Sequence, residues 1–493
     1  MGAADRGGAA VRTGMGGPPR TTAYAAAADP AAPFRRTPWR ARARRTVAPL
    51  LTLALAALAG CADARAEEEP VELRFWGMGR EGEVVAQLIP EFERRNPGIR
   101  VRVQQIPWTA AHEKLLTAFV GEATPDVAQL GNTWVPEFVA LGALEPLDRV
   151  VAASSVVERP DYFEGIWATN VIADTTFGVP WYVDTRVLFY RRDLLAAAGY
   201  DSVPTTWAGW REAMTAMKQR MAPRQWPILV PTNEWPQPVI FGLQAGATLL
   251  NAEGTRGNFS SPEFREAFRF YVDLFRAGLA PAVSSNEISN RYQEFARGNV
   301  AMMITGPWEI GEFRNRMPPE RQDDWMTAPL PGPDGPGVSM AGGSSLVLFR
   351  RSRHPEEAWR LIEYLSRVET QRRFYQATGN LPPRRSAWRD SALANSPYLP
   401  AFREQLERVR PLPKVPEWEQ IATRVFEYGE RAVRGDDRSA AALDRLLASL
   451  DRDVDQMLEK RRWMLARQAE RAEGDSARVR VVAPAPAAPG GAR

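Results

Sequence analysis

The sequence has little cysteine and little histidine, and both shortages restrict its chemistry. Cys61 is the single cysteine among 493 residues, so the chain forms no intrachain disulfide. His112 and His354 are the two histidines, and the sequence contains neither a zincin motif nor a nucleophile elbow. A Ser/His/Asp triad is therefore not expected, and we predict no metal ion and no organic cofactor.

The apolar run near the N-terminus, residues 47–59, is too short to span a membrane. Six arginines between residues 35 and 45 precede it, and it ends in Leu58-Ala59-Gly60-Cys61, which is the arrangement of an export signal. These four residues resemble the lipobox of bacterial lipoproteins, whose cysteine is acylated and becomes the first mature residue. We expect residues 1–60 to be a removed signal peptide and Cys61 to anchor an exported protein to the membrane of the cell envelope.

Removal of the leader reverses the sign of the net charge. The complete chain has a formal charge of +4, but residues 1–60 hold nine Arg and two Asp, so 54 basic and 57 acidic side chains remain and the mature charge is about −3. Because an acidic chain does not attract nucleic acid, we expect no nucleic-acid partner. The Ala-, Gly- and Pro-rich stretch before residue 35 leaves Met15 open as the translation start.

The rest of the chain shows the pattern of an α/β protein with two large parts. A length of 493 residues exceeds what one hydrophobic core supports. A strand pattern at 71–76, a glycine-rich loop at 77–82 and a helix pattern at 83–96 form a first β-loop-α unit. Strands then alternate with helices, which predicts mostly parallel sheets covered on both faces. Further strands are expected at 99–103, 126–130, 187–190, 228–230, 300–304 and 345–349, and further helices at 109–121, 135–141, 192–199, 207–221, 262–277, 355–367, 369–378 and 439–473.

The glycine-rich loop Gly77-Met78-Gly79-Arg80-Glu81-Gly82 matches the G-x-G-x-x-G dinucleotide fingerprint. The second strand, however, ends in Gln104-Gln105-Ile106 and offers no acidic residue to hold a ribose. We therefore interpret the loop as one in which backbone N–H groups and Arg80 approach a different ligand.

A series of short motifs between residue 71 and about residue 460 resembles the family 1 extracellular solute-binding proteins, the maltose- and trehalose-binding type of sugar transporter component. In order, the motifs are Leu73-Arg74-Phe75-Trp76, Phe92-Glu93, Asn96-Pro97-Gly98-Ile99, Pro125-Asp126-Val127, Gly178-Val179-Pro180, Asp193-Leu194, Ala301-Met302-Met303-Ile304-Thr305-Gly306-Pro307-Trp308 and Gly379-Asn380-Leu381-Pro382-Pro383-Arg384. The resemblance implies a two-lobe periplasmic-binding-protein fold of type II, with crossover strands at a hinge and the ligand in the cleft. It also implies an ABC permease with its ATPase as partners, and a monomer.

The resemblance also places the domain boundaries. After the signal peptide and a tether at 61–70, the first lobe is expected at 71–183 plus 327–366 and the second lobe at 184–326 plus 367–470. Residues 471–493 are expected to be a disordered tail.

Most of the candidate binding residues lie in loops that follow predicted strands, where ligands of open α/β sheets bind. Gly343 and Ser344 are added as close backbone donors and Arg384 as a donor to hydroxyls or a carboxylate. A sugar needs aromatic platforms for its C–H faces and polar groups for its hydroxyls, and these loops supply both. The candidates are Gly79, Arg80, Asn132, Trp134, Trp181, Tyr182, Asp184, Trp235, Trp308, Gly343, Ser344 and Arg384. By resemblance, Trp308 is a stacking residue and Asp184 is a hinge-region acid that accepts sugar hydroxyls. Met78-Gly79-Arg80 departs from the maltose-binder pattern, which argues against maltodextrin.

Two alternatives to a neutral di- or oligosaccharide binder stay open. Arg80 and Arg384 would suit an acidic or phosphorylated solute such as a glycerol phosphodiester, and polyols form a related class. A secreted glycoside hydrolase would use two carboxylates, and Glu81, Asp184, Glu234 and Glu309 are available. No spacing singles out an acid and nucleophile pair, so we expect no enzyme activity.

Overall fold

The computed structural model describes residues 69–437 and 439–482, with side chains to residue 463. The predicted signal peptide, Cys61, the tether to residue 68 and residues 483–493 lie outside the described residues. Among the helices of the described ranges, none is both long enough and apolar enough to cross a bilayer.

Helices and strands alternate along most of the described chain. The strands are β1 (Val71–Met78), β2 (Ile99–Ile106), β3 (Val127–Gly131), β4 (Val171–Ile172), β5 (Thr175–Thr176), β6 (Val179–Asp184), β7 (Val187–Arg191), β8 (Met302–Thr305), β9 (Trp325–Ala328), β10 (Ser339–Met340), β11 (Gly342–Leu348) and β12 (Val409–Arg410). The helices are α1 (Gly79–Arg95), α2 (Trp108–Val120), α3 (Val135–Ala140), α4 (Asp148–Ala153), α5 (Glu164–Ala168), α6 (Arg192–Ala197), α7 (Trp207–Arg220), α8 (Pro236–Gln244), α9 (Pro262–Arg276), α10 (Arg291–Ala296), α11 (Trp308–Arg316), α12 (Pro355–Ser366), α13 (Val368–Thr378), α14 (Ser391–Ala394), α15 (Leu399–Leu406), α16 (Trp418–Arg434) and α17 (Ala440–Val482).

The first lobe is built on a five-stranded sheet in the order β2-β1-β3-β11-β6. β1 pairs in parallel with β2 and β3, whereas β11 pairs antiparallel with β3 and β6. Leu73 and Phe75 on β1 are fully buried, as their alternation with polar residues predicts. The carboxyl ends of β1, β3 and β6 therefore meet at one edge of this sheet.

The second lobe contains the sheet β8-β7-β9, in which β7 pairs antiparallel with both neighbours. The chain passes from the first sheet to the second between Asp184 and Val187. A strand that begins at the hinge starts at the edge of the cleft. It is therefore antiparallel to the neighbouring strands that end at this edge. The first sheet is for this reason mixed and the second is antiparallel, which corrects the prediction that the sheets are mostly parallel.

Two predicted boundaries are also corrected. Helix α13 packs on α1 of the first lobe, where Arg373 pairs with Glu91, and Phe374 lies 4.4 Å from the Trp181 ring. It therefore does not belong to the second lobe. The sequence did not show this, because an amphipathic helix can pack on either sheet. Helix α17 runs to Val482, so 471–482 are helical instead of a disordered tail.

The predicted loop at 77–82 is a direct junction of a strand with a helix. β1 ends at Met78 and α1 begins at Gly79. A Cβ on Gly77 would come 2.7 Å from the Gly82 Cα, so the two backbones approach too closely for any side chain. The predicted strand at 228–230 is reduced to one isolated bridge between Leu229 and Met303.

Candidate functional site

A cleft of about 490 Å³ opens where the carboxyl ends of β3, β6 and β8 approach the start of β11. Its lining draws on both lobes. The residues are Glu81, Trp108, Gly131, Asn132, Thr133, Trp134, Tyr182, Val183, Asp184, Arg186, Trp235, Pro307, Trp308, Met340, Gly342, Gly343, Asn380 and Glu419. The structure thus brings together seven of the twelve sequence candidates: Asn132, Trp134, Tyr182, Asp184, Trp235, Trp308 and Gly343.

Four tryptophans give the cleft its aromatic surface. Trp108 and Trp134 come from the first lobe and meet edge to face at 5.8 Å. Trp235 comes from the second lobe and packs edge to face on buried Trp418 at 5.6 Å. Rings held by other rings keep a fixed orientation, which suits them as platforms for a flat apolar surface.

Trp308, the fourth tryptophan, follows β8 and begins α11. Its six-membered ring lies so close to Gly306 that a Cβ there would come 1.9 Å from Cζ3. The guanidinium of Arg186 lies over the Trp308 ring, 4.4 Å from the centroid. Although packed on these two groups, Trp308 remains 38% exposed and belongs to the cleft.

Asp184 ends β6 at the hinge, and its Oδ1 atom is buried without a hydrogen-bond partner among the described residues. Arg186 Nη1 lies 3.6 Å from this oxygen, which is too far for a hydrogen bond. Burial raises the pKa of the Asp184 carboxyl, and Arg186 opposes the rise only in part. A buried acceptor without a donor is costly, so this oxygen is suited to accept a hydrogen bond from a ligand.

A buried network of polar side chains fixes the hydroxyl of Tyr182. Gln129 Nε2 donates to the Tyr182 hydroxyl at 3.2 Å, and the Ser344 hydroxyl donates to the same oxygen at 3.0 Å. Burial raises the pKa of Tyr182 well above its usual value. Ser344, a sequence candidate, therefore orients Tyr182 and does not itself line the cleft.

Gly343 and Asn132 fix the backbone at the start of β11. Gly343 has a φ of +131°, and a Cβ there would come 2.2 Å from the Tyr182 carbonyl oxygen, so only glycine fits. Asn132 Nδ2 donates to the Ala341 carbonyl at 3.0 Å, which ties the loop after β3 to the hinge.

Gly79 and Arg80 lie at the rim, outside the lining. Gly79 has a φ of +49°, and a Cβ there would come 3.0 Å from Cδ1 of Trp108. Arg80 turns away and donates to the Ala377 carbonyl at 3.1 and 3.2 Å. The predicted approach of Arg80 to a ligand is thus replaced by a contact between α1 and α13.

Trp181 and Arg384 are removed from the site. Trp181 is 1% exposed and packs on Phe374, because neighbouring residues of a strand face opposite sides and Tyr182 takes the cleft side. Arg384 Nε donates to Asp161 at 2.6 Å, and its Nη1 donates to the Ser366 carbonyl at 2.9 Å. Both side chains are structural.

Several cleft residues are absent from the sequence candidates. Trp108 follows β2, so the rule that selected post-strand aromatics applies to it as well. Asn380 donates to Glu81 at 2.9 Å, and Thr133 donates from the first lobe to Glu419 of α16 at 2.6 Å. No sequence signal links these pairs, since their partners are almost 300 residues apart.

His112 lies beside Trp134, with ring centroids 5.0 Å apart, and its Nε2 lies 2.6 Å from Glu137 Oε2. The hydrogen bond with Glu137 raises the pKa of His112 above its usual value, although burial opposes the rise. The protonated ring of His112 is thus stabilised beside the Trp134 ring, which lines the cleft.

We expect the melting temperature of the empty protein to fall by a few degrees at most as the pH rises from about 6 to about 9. The pKa of His112 is higher in the folded protein than in the unfolded protein. Its contribution to stability is therefore complete below the unfolded pKa and is lost as pH rises through the folded pKa. Thermal denaturation checks this, and His112→Gln should lack the decrease while His354→Gln keeps it. An identical decrease in His112→Gln would contradict the assignment.

A family model described as bacterial extracellular solute-binding protein matches residues 78–372. The solved structure of the sugar-binding protein MalE of Xanthomonas citri is 49% identical, with a TM-score of 0.78 over 80% of this chain and 99% of its own. A lipoprotein of the oleD 5′ region of Streptomyces antibioticus is 26% identical over 76% of this chain and 87% of its own. The diacetylchitobiose binding protein DasA of Streptomyces coelicolor is 23% identical over 68% and 78%. These matches confirm the two-lobe α/β fold of type II that the sequence predicts.

Proposed function

Because the chain belongs to the family of bacterial extracellular solute-binding proteins, we propose that it captures a neutral di- or oligosaccharide in the cleft. It releases the sugar unchanged to an ABC permease and its ATPase. The names of two relatives, sugar-binding MalE and DasA, support this ligand class.

The lining of the cleft by four tryptophans beside hydroxyl acceptors is the observation that carries the proposal. Trp108, Trp134, Trp235 and Trp308 offer apolar faces to the C–H side of sugar rings. Asp184, with its unpartnered Oδ1, offers a buried acceptor to a sugar hydroxyl. A molecule with both a flat apolar face and many hydroxyls satisfies this surface, and acyclic polyols lack the flat face.

The charges of the cleft argue against an acidic or phosphorylated ligand. Three carboxylates line it, from Glu81, Asp184 and Glu419, against the single guanidinium of Arg186 within the described lining. Arg80 and Arg384, which suggested an anion in the sequence, are held by the Ala377 carbonyl and by Asp161. An anion would therefore meet net repulsion.

A glycoside hydrolase is the weaker alternative. Glu234 accepts hydrogen bonds from Ser285 at 2.8 Å and Gln237 at 3.0 Å, and it is not part of the cleft lining. Glu309 is 1% exposed beneath the surface, so substrate does not reach it. We propose a binding protein without catalytic activity.

Export and anchoring at Cys61 complete the proposal. The lipobox-like end of the leader supports it, and so does the lipoprotein among the relatives. We propose that the protein acts as a monomer, tethered through Cys61 on the outer face of a membrane. Mass spectrometry of the mature N-terminus tests the acylation.

We expect tryptophan fluorescence and thermal shift to respond to one or a few neutral oligosaccharides in a glycan panel. At a ligand concentration one hundred times Kd the stabilisation should reach about 2.7 kcal/mol. Phosphate esters and uronic acids serve as the comparison set, and the sugars are recovered and checked by chromatography. A response confined to the anions, or cleavage of any glycan, would overturn the proposal.

A further inference from the structure

Arg186 is the unusual group of the cleft, because it lies within it yet has few partners. Its side chain is 18% exposed, but among the described residues no acceptor lies within hydrogen-bond distance of the guanidinium. Its contacts in the cleft are the Trp308 ring at 4.4 Å and the Asp184 carboxylate at 3.6 Å. A guanidinium normally forms several directed hydrogen bonds, but here its donors have no acceptor among the described residues.

The backbone of Arg186 is fixed while its side chain is not. Its amide N–H donates to the Ser339 hydroxyl at 3.2 Å, and neighbouring Thr185 donates to the Met340 carbonyl at 3.0 Å. Both bonds join the two crossover segments of the hinge. The guanidinium can therefore change partners without a change in the hinge backbone.

We propose that Arg186 is a placeholder that covers Trp308 in the empty cleft and is displaced by the ligand onto Asp184. This rests on the proposed function and concerns the regulation of the same site. An incoming ring takes the Trp308 face, and the freed guanidinium closes the 3.6 Å gap to Asp184 Oδ1 to form a hydrogen-bonded ion pair. The second lone pair of this oxygen accepts the sugar hydroxyl.

The exchange has two consequences. In the empty protein, Arg186 covers part of the apolar Trp308 ring, which remains 38% exposed, and so limits the hydrophobic surface that an exported protein presents to water. In the loaded protein, the Asp184–Arg186 pair lies between β6 and β7, so ligand capture orders side chains at the hinge itself. Affinity is lowered by the cost of breaking the contact between Arg186 and Trp308.

The test is a double-mutant cycle with Arg186→Ala and Trp308→Ala, read as Kd for the best neutral sugar of the glycan panel. Removal of the competitor should tighten binding by at most about thirty-fold, the upper end of the range of a cation–π contact, because the variant also loses the ion pair with Asp184 in the loaded protein. In the Trp308→Ala background, Arg186→Ala should leave Kd unchanged. Arg192→Ala, at an exposed arginine that begins α6, is the control for loss of charge and should behave as wild type.

A loss of affinity in Arg186→Ala would make the guanidinium a direct ligand contact and overturn the proposal, and so would an equal effect in both backgrounds. A second measurement needs no ligand. The tryptophan emission of the empty protein should differ between wild type and Arg186→Ala, and this difference should vanish in the Trp308→Ala background. If no sugar binds, the proposed function fails, while the emission still reports whether Arg186 covers Trp308.

Discussion

Replacing Trp308 with alanine is expected to weaken carbohydrate binding by at least about thirty-fold, equivalent to about 2 kcal/mol. The ring is 38% exposed at the cleft and contributes one of the platforms against which a sugar would lose its contact with water. Because the ring packs mainly on Gly306 and Arg186, its loss opens no cavity in the core. The melting temperature of the empty protein should therefore stay nearly unchanged. Calorimetric titration and thermal denaturation measure the two quantities.

Two other tryptophans serve as controls for Trp308. Trp463 is 57% exposed on α17 and does not line the cleft, so Trp463→Ala should leave the affinity intact. Trp210 is fully buried, and Trp210→Ala should destabilise the fold by about 3–5 kcal/mol. If Trp308→Ala resembles Trp210→Ala in stability, the ring belongs to the core and its assignment to the ligand is wrong.

Replacing Arg384 with alanine is expected to lower the free energy of unfolding by about 3–5 kcal/mol, the cost of breaking a buried ion pair. The side chains of Arg384 and Asp161 are 9% and 17% exposed, and Arg384 also satisfies the Ser366 carbonyl. Asp161 in addition accepts a bond from the Ser386 amide at 2.8 Å. Ligand affinity should be unchanged in the folded variant, since Arg384 does not line the cleft. Chemical denaturation and sugar titration test both statements.

The neighbouring Arg385 provides a matched control. It pairs with Glu407 on the surface, where both side chains are at least 40% exposed, so Arg385→Ala should cost about 0–1 kcal/mol.

Burial alone would raise the pKa of Asp161, but hydrogen bonds from Ser386 and Arg384 outweigh it and hold the pKa below its usual value. The contribution of Asp161 to the free energy of unfolding is present above the unfolded pKa and is lost as pH falls through the folded pKa. A loss of sugar binding in Arg384→Ala at full stability would restore Arg384 to the site.

The rule that binding residues follow strands selected several residues that lie in the cleft. Trp134, Asp184 and Trp308 follow or end β3, β6 and β8, and all three reach the cleft. The rule failed for Trp181 because it ignores the alternation of side chains along a strand. Arg384 was selected as a donor to ligand hydroxyls or a carboxylate, but a guanidinium suits an internal carboxylate as well as a ligand. Glu419 was missed because α16 reaches the cleft only through tertiary packing.

The sequence by itself determined the alternation of strands and helices, the family resemblance, the aromatic character of the binding loops and the single cysteine at the end of the leader. These features depend on local patterns of residue type. Only the tertiary structure decided that α13 packs on the first lobe, that the sheets are not mostly parallel, that Arg384 pairs with Asp161 and that Arg186 lies over Trp308. The reason is physical: an amphipathic helix or a charged side chain can be satisfied by several partners, and the choice among them depends on contacts between residues far apart in the chain.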